Sequence, residues 1–109
     1  MKYRPDGKQF IADIWFEDNI PNIDNFVQKI TNGVKLNIVD KYSYNFGIGE
    51  TIIYILSESH FAIHTYPEYN YISIDIYTCG KSNPYDAEQI IKESFSVKKI
   101  NIHKLQRGI

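Results

Sequence analysis

The side chains best suited to catalysis lie in one stretch, residues 56–80. It contains the only cysteine, Cys79, two of the three histidines, His60 and His64, and the pair Glu58-Ser59. Two strand-like segments meet at a turn within this stretch, so a stiff sheet would carry these polar groups. Such a support suits chemistry that needs atoms held in fixed positions.

One interpretation of these residues is a metal site formed by His60, His64 and Cys79. Histidines four residues apart share a face of a helix, but in a strand they lie about 13 Å apart, at about 3.3 Å per residue. Metal–ligand distances of about 2 Å cannot bridge that gap. Pro67 and the nearby β-branched residues disfavour a helix. We therefore expect no metal site here.

Two further interpretations use nucleophilic chemistry. Cys–His or Ser–His pairs can be assembled in space as in hydrolases, although the chain has no Gly-x-Ser-x-Gly elbow. Alternatively, the Glu58-Ser59 bond is itself the reactive centre. A serine hydroxyl can attack the preceding carbonyl, and elimination from the resulting ester leaves a pyruvoyl group. Its ketone can form a Schiff base with an amine and accept the electrons released by loss of carbon dioxide, as pyridoxal phosphate does. Spacing alone leaves these interpretations open.

A longer match favours the self-processing interpretation. Two segments carry it: residues 57–69, SESHFAIHTYPEY, and residues 75–80, DIYTCG. They resemble the processing-site signature of the bacterial and archaeal S-adenosylmethionine decarboxylases. Weaker similarity extends to residues 7–13 and to Arg107-Gly108, so the resemblance covers nearly the whole chain.

The resemblance implies that the chain cleaves itself between Glu58 and Ser59. Residues 1–58 would form the β chain and residues 59–109 the α chain, with Ser59 converted to the pyruvoyl cofactor that binds substrate as a Schiff base. It also implies a place in the synthesis of the polyamine spermidine.

The resemblance also assigns roles to other side chains. His64 would be the acid/base of processing, assisted by Thr51, and Cys79 would return a proton to the substrate carbon after decarboxylation. Glu68 would contact the substrate ribose. An aromatic ring, Tyr44 or Phe46, would stack on adenine.

Three departures from the family pattern concern the substrate more than the chemistry. Tyr66 replaces a tryptophan, Gln9 stands where histidine is common, and residues 42–49 lack the usual aromatic spacing. S-adenosylmethionine is the expected small-molecule substrate. A pyruvoyl-dependent arginine or ornithine decarboxylase, and an unprocessed non-catalytic homologue, are the alternatives.

Composition sets the class of protein. The 109 residues are 43% hydrophobic and 15% aromatic, which is typical of one globular domain spanning residues 1–109. A net charge of −1 disfavours nucleic acid as a partner, because there is no basic field to neutralise phosphates. No apolar run approaches the roughly 18 residues of a membrane span, and residues 1–7 lack the apolar region of a signal peptide. The expected location is the cytoplasm.

Hydrophobic periodicity predicts an α+β fold, a two-layer α/β sandwich in which two helices cover one face of a mostly antiparallel sheet. The predicted elements are strand 10–16, a helix capped by Asn22 and ended by Gly33, strand 34–44, strand 50–56 buried on both faces, strands 61–66 and 71–77, a helix capped by Asn83, and strand 97–103. The sheet face without helices must meet water, a substrate or a second subunit. The resemblance implies a homodimer of processed αβ units joined through the sheets, with active sites at the interface.

Overall fold

A six-stranded antiparallel sheet is the central element of the molecule. The computed structural model describes residues 6–108. The strands are β1 (Gly7–Phe16), β2 (Ile38–Phe46), β3 (Gly49–Leu56), β4 (Ser59–Tyr66), β5 (Tyr71–Cys79) and β6 (Val97–Arg107). Their order across the sheet is β2-β3-β4-β5-β1-β6. The helices are α1 (Ile23–Val34) and α2 (Ala87–Ser94). The predicted α+β fold, with an antiparallel sheet and two helices, is confirmed.

The core lies between the helices and one face of the sheet. Alternation in β5 buries Ile72, Ile74 and Ile76, while Ser73, Asp75 and Tyr77 point away from the core, as predicted. Phe26 and Ile30 of α1 and Ile91 of α2 cover these residues as part of one apolar cluster. The opposite surface of the sheet, which we call the open face, carries the polar side chains of the strands.

The ends of α1 differ in how well the sequence predicts them. Asn22 caps the helix as expected, because its side chain accepts a hydrogen bond from the Asn25 amide at 2.9 Å. Gly33 does not end the helix. Lys35 does, in the left-handed conformation at φ 68°. A Cβ on Gly33 would lie 2.3 Å from Ile90 Cδ1, so this glycine allows α1 to approach α2 closely.

Two other predictions are wrong in detail. The second strand begins at Ile38, because α1 continues to Val34. The third strand is buried on one face only: Ile52, Tyr54 and Leu56 are buried, whereas Ile55 is 39% exposed on the open face. An unbroken apolar run cannot reveal that one side of the sheet lacks a covering layer within this chain.

The second helix starts later than predicted. Asn83 caps a short 3-10 turn, Pro84–Asp86, by accepting from the Tyr85 amide at 3.1 Å, and α2 follows at Ala87. Within residues 6–108 no helix is long and apolar enough to cross a membrane. The expectation about a signal peptide concerns residues 1–7, most of which lie outside the described part of the chain.

Candidate active site

Ser59 occupies a strained position at the start of β4. The tight turn formed by Ser57 and Glu58 joins β3 to β4, and Ser59 immediately follows it, paired with Leu56 on one side and Thr78 on the other. Its φ of 150° lies in a region that residues with a side chain rarely adopt. The strained residue therefore lies at the Glu58-Ser59 bond, which the sequence analysis identified as the candidate cleavage site.

The carbonyl oxygen of Glu58 is held by Cys79. The Cys79 amide donates to it at 3.0 Å and the thiol at 3.4 Å, while Ser59 Oγ lies 3.9 Å from Cys79 Sγ. We call Glu58, Ser59 and Cys79 the serine site. An amide donor at this distance stabilises an oxyanion that develops on the Glu58 carbonyl. The arrangement therefore fits attack by Ser59 Oγ on the preceding peptide carbon.

A second contact anchors the turn. The Asn37 amide donates to Glu58 Oε1 at 3.1 Å, and the Ser57 amide donates to the Asn37 carbonyl at 2.9 Å. These two hydrogen bonds join the segment between α1 and β2 to the turn before β4. They hold the Glu58-Ser59 bond at the end of the sheet.

His64 and Thr51 form a separate pair, which we call the histidine site. They face each other across β3 and β4, and Thr51 Oγ1 lies 2.9 Å from His64 Nδ1. The hydroxyl orients the ring and leaves Nε2 available for another partner. Opposite His64 on β5 stands Ser73, whose side chain is on the same face.

The serine and histidine sites do not meet within one chain. Ser59 and His64 are both on β4, and five residues of extended strand separate their Cα atoms by about 16 Å, at about 3.3 Å per residue. The sequence places both in one short motif, but a straight strand keeps them apart. His64 of the same chain therefore cannot reach the Glu58-Ser59 bond.

The predicted substrate-binding residues lie at the end of the sheet that carries the histidine site. Tyr44, opposite Thr51, is 73% exposed. The Phe46 ring packs 5.6 Å from that of Tyr66. Glu68 is exposed in the 3-10 turn Pro67–Tyr69 that connects β4 to β5. These residues surround the histidine site and not Ser59.

An aromatic row extends across the same end of the open face. Tyr66 contacts Tyr71 at 5.5 Å, and Tyr71 contacts Trp15 at 4.9 Å between ring centroids. The Tyr71 hydroxyl donates to Asp13 Oδ1 at 2.5 Å. Burial and this carboxylate raise the pKa of Tyr71, so the phenol stays protonated and is a donor at neutral pH.

The structure adds one group that the sequence analysis did not assign to the site. His60 Nε2 lies 3.7 Å from Asp75 Oδ2, and the His60 ring stacks on Tyr77 at 5.8 Å. The alternation of β5 already put Asp75 and Tyr77 on one face, but only the register of β4 against β5 pairs His60 with Tyr77. Among residues 6–108, no three His, Cys, Asp or Glu side chains are grouped to hold a metal ion.

Comparisons with known proteins find relatives that share most of the length of this chain. An S-adenosylmethionine decarboxylase proenzyme of Thermomicrobium roseum is 31% identical over 112 residues, covering 94% of each chain. An arginine decarboxylase proenzyme of Caldivirga maquilingensis is 38% identical over 98 residues, covering 80% of this chain and 73% of the relative.

A solved structure shows the same fold. The crystal structure of the adenosylmethionine decarboxylase from Aquifex aeolicus superposes with a TM-score of 0.80 at 28% identity, covering 97% of this chain and 93% of that one. Residues 10–108 match the family model for S-adenosylmethionine decarboxylase. Sequence match and shared fold together show that the chain belongs to the S-adenosylmethionine decarboxylase family.

Proposed function

We propose that this protein is a self-processing decarboxylase of S-adenosylmethionine that acts through a pyruvoyl group made from Ser59. One observation carries the proposal: the strained Ser59 follows a carbonyl that the Cys79 amide holds at 3.0 Å. Strain destabilises the peptide bond, and the amide stabilises the charge that develops when the bond is attacked.

The cleavage begins when Ser59 Oγ attacks the carbonyl carbon of Glu58. A C–O bond forms, the C–N bond breaks, and an ester replaces the peptide. A base then removes the Ser59 α-proton, the Cβ–O bond breaks, and Glu58 leaves as a new carboxyl terminus. Hydrolysis of the remaining dehydroalanine releases ammonia and leaves a ketone at the start of residues 59–109. That ketone supplies the carbonyl to which a substrate amine binds and which accepts the electrons of decarboxylation.

The base for this reaction comes from a second copy of the chain. His64 of the same chain is about 16 Å away along β4. Two open faces packed about a two-fold axis that crosses β4 midway between residues 59 and 64 would bring each Ser59 to the partner's His64. Ala62, at this midpoint, presents a methyl group that is only 8% exposed, so the sheets can approach closely.

The same packing completes the substrate site. The partner's histidine site brings Tyr44, Phe46 and Glu68 towards the serine site. Flat rings can stack on adenine and a carboxylate can accept hydrogen bonds from a ribose, which matches the parts of S-adenosylmethionine. Cys79 would hold the proton that replaces carbon dioxide on the substrate.

Arginine is the second candidate substrate. The relative from Caldivirga maquilingensis is an arginine decarboxylase proenzyme and is 38% identical over the region that it shares with this chain. Exposed aromatic rings and Glu68 would also suit a guanidinium group, through cation–π contacts and charge. A cytoplasmic location belongs to the same proposal, because Cys79 must remain a reduced thiol.

The test combines intact mass with a substrate assay. The purified chain is expected to yield two fragments split between residues 58 and 59, the second blocked by a ketone, and to release carbon dioxide from S-adenosylmethionine faster than from arginine or ornithine. Ser59→Ala should remain one chain. A single uncut chain under maturation conditions would instead identify a non-catalytic homologue, and a preference for arginine would replace the substrate but keep the mechanism.

A further inference from the structure

The depression in front of Ser59 contains a histidine that the cleavage chemistry does not use. This depression has a volume of about 530 Å³ and lies on the open face. Its lining residues are Gln9, Ile55, Ser59, His60, Tyr77 and Arg107. His60 is the residue next to Ser59, and both line the depression. A substrate amine that enters this depression therefore lies close to the His60 ring.

Two neighbours on β5 hold the His60 ring in one orientation. The ring stacks on Tyr77, with 5.8 Å between centroids and 28° between planes. Asp75 Oδ2 lies 3.7 Å from Nε2, which is ion-pair distance. With its proton on Nε2, facing this carboxylate, the neutral ring would carry its lone pair on Nδ1. Within a single chain the ring is 40% exposed.

Asp75 is itself held in place by a chain of contacts that crosses three strands. Gln9 Nε2 donates to Asp75 Oδ1 at 3.0 Å, and Arg107 Nη1 donates to Gln9 Oε1 at 2.8 Å. The Arg107 guanidinium also lies 5.7 Å from the centre of the Tyr77 ring. Both oxygens of Asp75 are engaged, and the link to Arg107 passes through a neutral amide. Among the described residues, His60 is therefore the ionisable group that Asp75 directly contacts.

Other ionisable groups around His60 are at the edges of the depression. Tyr77 and Arg107 belong to β5 and β6, and Glu58 and Cys79 lie at the serine site. On β2, Asp40 aligns with His60 through Ile55 of β3. His60 and residue 59 line the same depression, so the reaction at residue 59 takes place next to the His60 ring.

We infer that His60 is the base that takes a proton from the substrate ammonium before the amine attacks the ketone at residue 59, with Asp75 as its positioning residue. The inference rests on the proposed function. An amino-acid substrate carries an ammonium group at neutral pH, and nitrogen has no free electron pair until one proton leaves. His60 accepts that proton on Nδ1, and imidazole is the side chain that most often serves as a general base.

Later in the same reaction, His60 returns the proton that it accepts. The free amine forms a C–N bond to the ketone carbon, and a proton passes from nitrogen to the former ketone oxygen. The protonated His60 then returns its proton to that oxygen. The C–O bond breaks and water leaves, so His60 is neutral again. The nitrogen is positively charged as the ammonium, neutral as the free amine and in the addition product, and positively charged again in the Schiff base, so the overall charge is unchanged and no oxidant or other reagent is required.

The test measures covalent capture and not decarboxylation. Processed protein is mixed with agmatine or with the amine formed by decarboxylating S-adenosylmethionine, in the presence of cyanoborohydride, and the mass increase of the residue 59–109 fragment is followed in time. A parallel reaction uses hydroxylamine, which is uncharged at neutral pH and needs no base. His60→Gln is expected to slow amine capture by about 10²-fold. Hydroxylamine capture should stay within about twofold of the parent rate, because the ketone itself is unchanged.

Two further variants separate the proposed role from a structural one. Asp75→Asn should slow amine capture but not hydroxylamine capture, since it acts only through His60. His103→Gln changes a histidine on β6, opposite Ile11, and should leave both rates unchanged. Raising the pH should restore amine capture in His60→Gln, as more of the amine loses its proton without help.

The remaining outcomes count against specific claims. If His60→Gln slows amine capture and hydroxylamine capture equally, the ring merely shapes the depression. If His60→Gln captures the amine at the parent rate, the ring plays no part. Either result overturns the inference. If the parent protein is not cleaved and captures neither reagent, the proposed function fails and the role of His60 fails with it. Cleaved parent protein that captures both reagents keeps the function intact and leaves the variants to decide the role of His60.

Discussion

At the scale of single residues, Cys79 contributes two different groups to the serine site. Its amide donates to the Glu58 carbonyl at 3.0 Å, and its thiol is exposed beside Ser59 Oγ. The amide belongs to the backbone and survives any substitution of the side chain, whereas the thiol does not. Mutation can therefore separate stabilisation of the cleavage oxyanion from proton donation in turnover.

Cys79→Ala is expected to cleave but not to turn over normally. The backbone donor remains, so cleavage should reach completion within about tenfold of the parent rate, while loss of the proton donor should reduce kcat by roughly 10²–10⁴-fold. Cleavage is measured by intact mass and turnover by release of carbon dioxide. Normal decarboxylation by the cleaved variant would remove Cys79 from the role of proton donor.

At the scale of secondary-structure elements, α1 ends at a residue poorly suited to its conformation. Lys35 adopts φ 68°, which costs a residue with a side chain about 1–2 kcal/mol relative to the right-handed form. Its amide still donates to the Thr31 carbonyl and so caps the helix. The sequence analysis chose the nearby Gly33 because glycine is the usual residue at such an end.

Replacement of Lys35 by glycine is therefore expected to stabilise the fold by about 1 kcal/mol. The matched control is Lys29→Gly, the same chemical change at an exposed position inside α1, which should destabilise by about 0.7 kcal/mol. Urea unfolding of the Ser59→Ala chain, which avoids cleavage, measures both. Destabilisation by both variants would contradict the proposed strain at Lys35.

The ion pair between α2 and β6 provides a pH-dependent contact. Glu88 accepts from Lys92 at 2.8 Å on its own helix and lies 3.0 Å from Lys104 of β6. These hydrogen bonds lower the pKa of Glu88. A lowered pKa stabilises the folded state above the unfolded value of about 4.3, and this stabilisation is lost as the pH falls through the folded pKa.

Glu88→Gln should therefore lower the free energy of unfolding at pH 7 by up to about 1 kcal/mol, since the pair is exposed and screened. The difference from the parent should be smaller at pH 3, which is below the unfolded value of about 4.3, because protonation of the parent carboxylate removes the ion pair as the pH falls through the folded pKa. Urea titrations at pH 7 and pH 3 in low salt measure it. Glu93→Gln is the control, because Glu93 accepts from the neutral amide of Gln89. An effect of Glu88→Gln that is undiminished at pH 3 would point to packing and not charge.

At the scale of the whole molecule, the open face carries both halves of the candidate active site at positions that one chain cannot join. A homodimer packed through this face would contain two complete sites, each made from both chains. It would also cover Ile55 and the exposed aromatic residues of β2, which otherwise lie in water.

Mixing two inactive chains tests this arrangement. Ser59→Ala retains His64 but lacks the nucleophile, and His64→Ala retains Ser59 but lacks the base. When the two are unfolded together and refolded as mixed dimers, the His64→Ala chain is expected to be cleaved. Intact mass distinguishes the chains. Cleavage that occurs only when both residues are present in one chain would contradict a shared site.

A second variant supplies the control for dimer formation. Ala62→Arg places a charge at the midpoint of the open face and should keep the chain monomeric and uncut, as judged by light scattering and intact mass. Asn32→Arg introduces the same charge on α1, which covers the other face of the sheet, and this chain should still dimerise and be cleaved. A monomeric Ala62→Arg chain that cleaves at the parent rate would show that one copy is sufficient.

The sequence by itself determined the features that depend on neighbours along the chain. The alternation of β5, the Asn22 cap and the position of the Glu58-Ser59 bond can all be identified locally, because periodicity, capping and a contiguous motif require no knowledge of distant residues. The α+β class follows from the order of those elements.

The tertiary structure decided which side chains meet. Strand register paired Thr51 with His64, brought Asp75 to His60 and set the Cys79 amide on the Glu58 carbonyl, and each contact joins residues on different elements. It also showed that His64 and Ser59, close in sequence, are far apart in one chain. The physical reason is that an extended strand separates its residues by about 3.3 Å each, while pairing brings strands within about 5 Å.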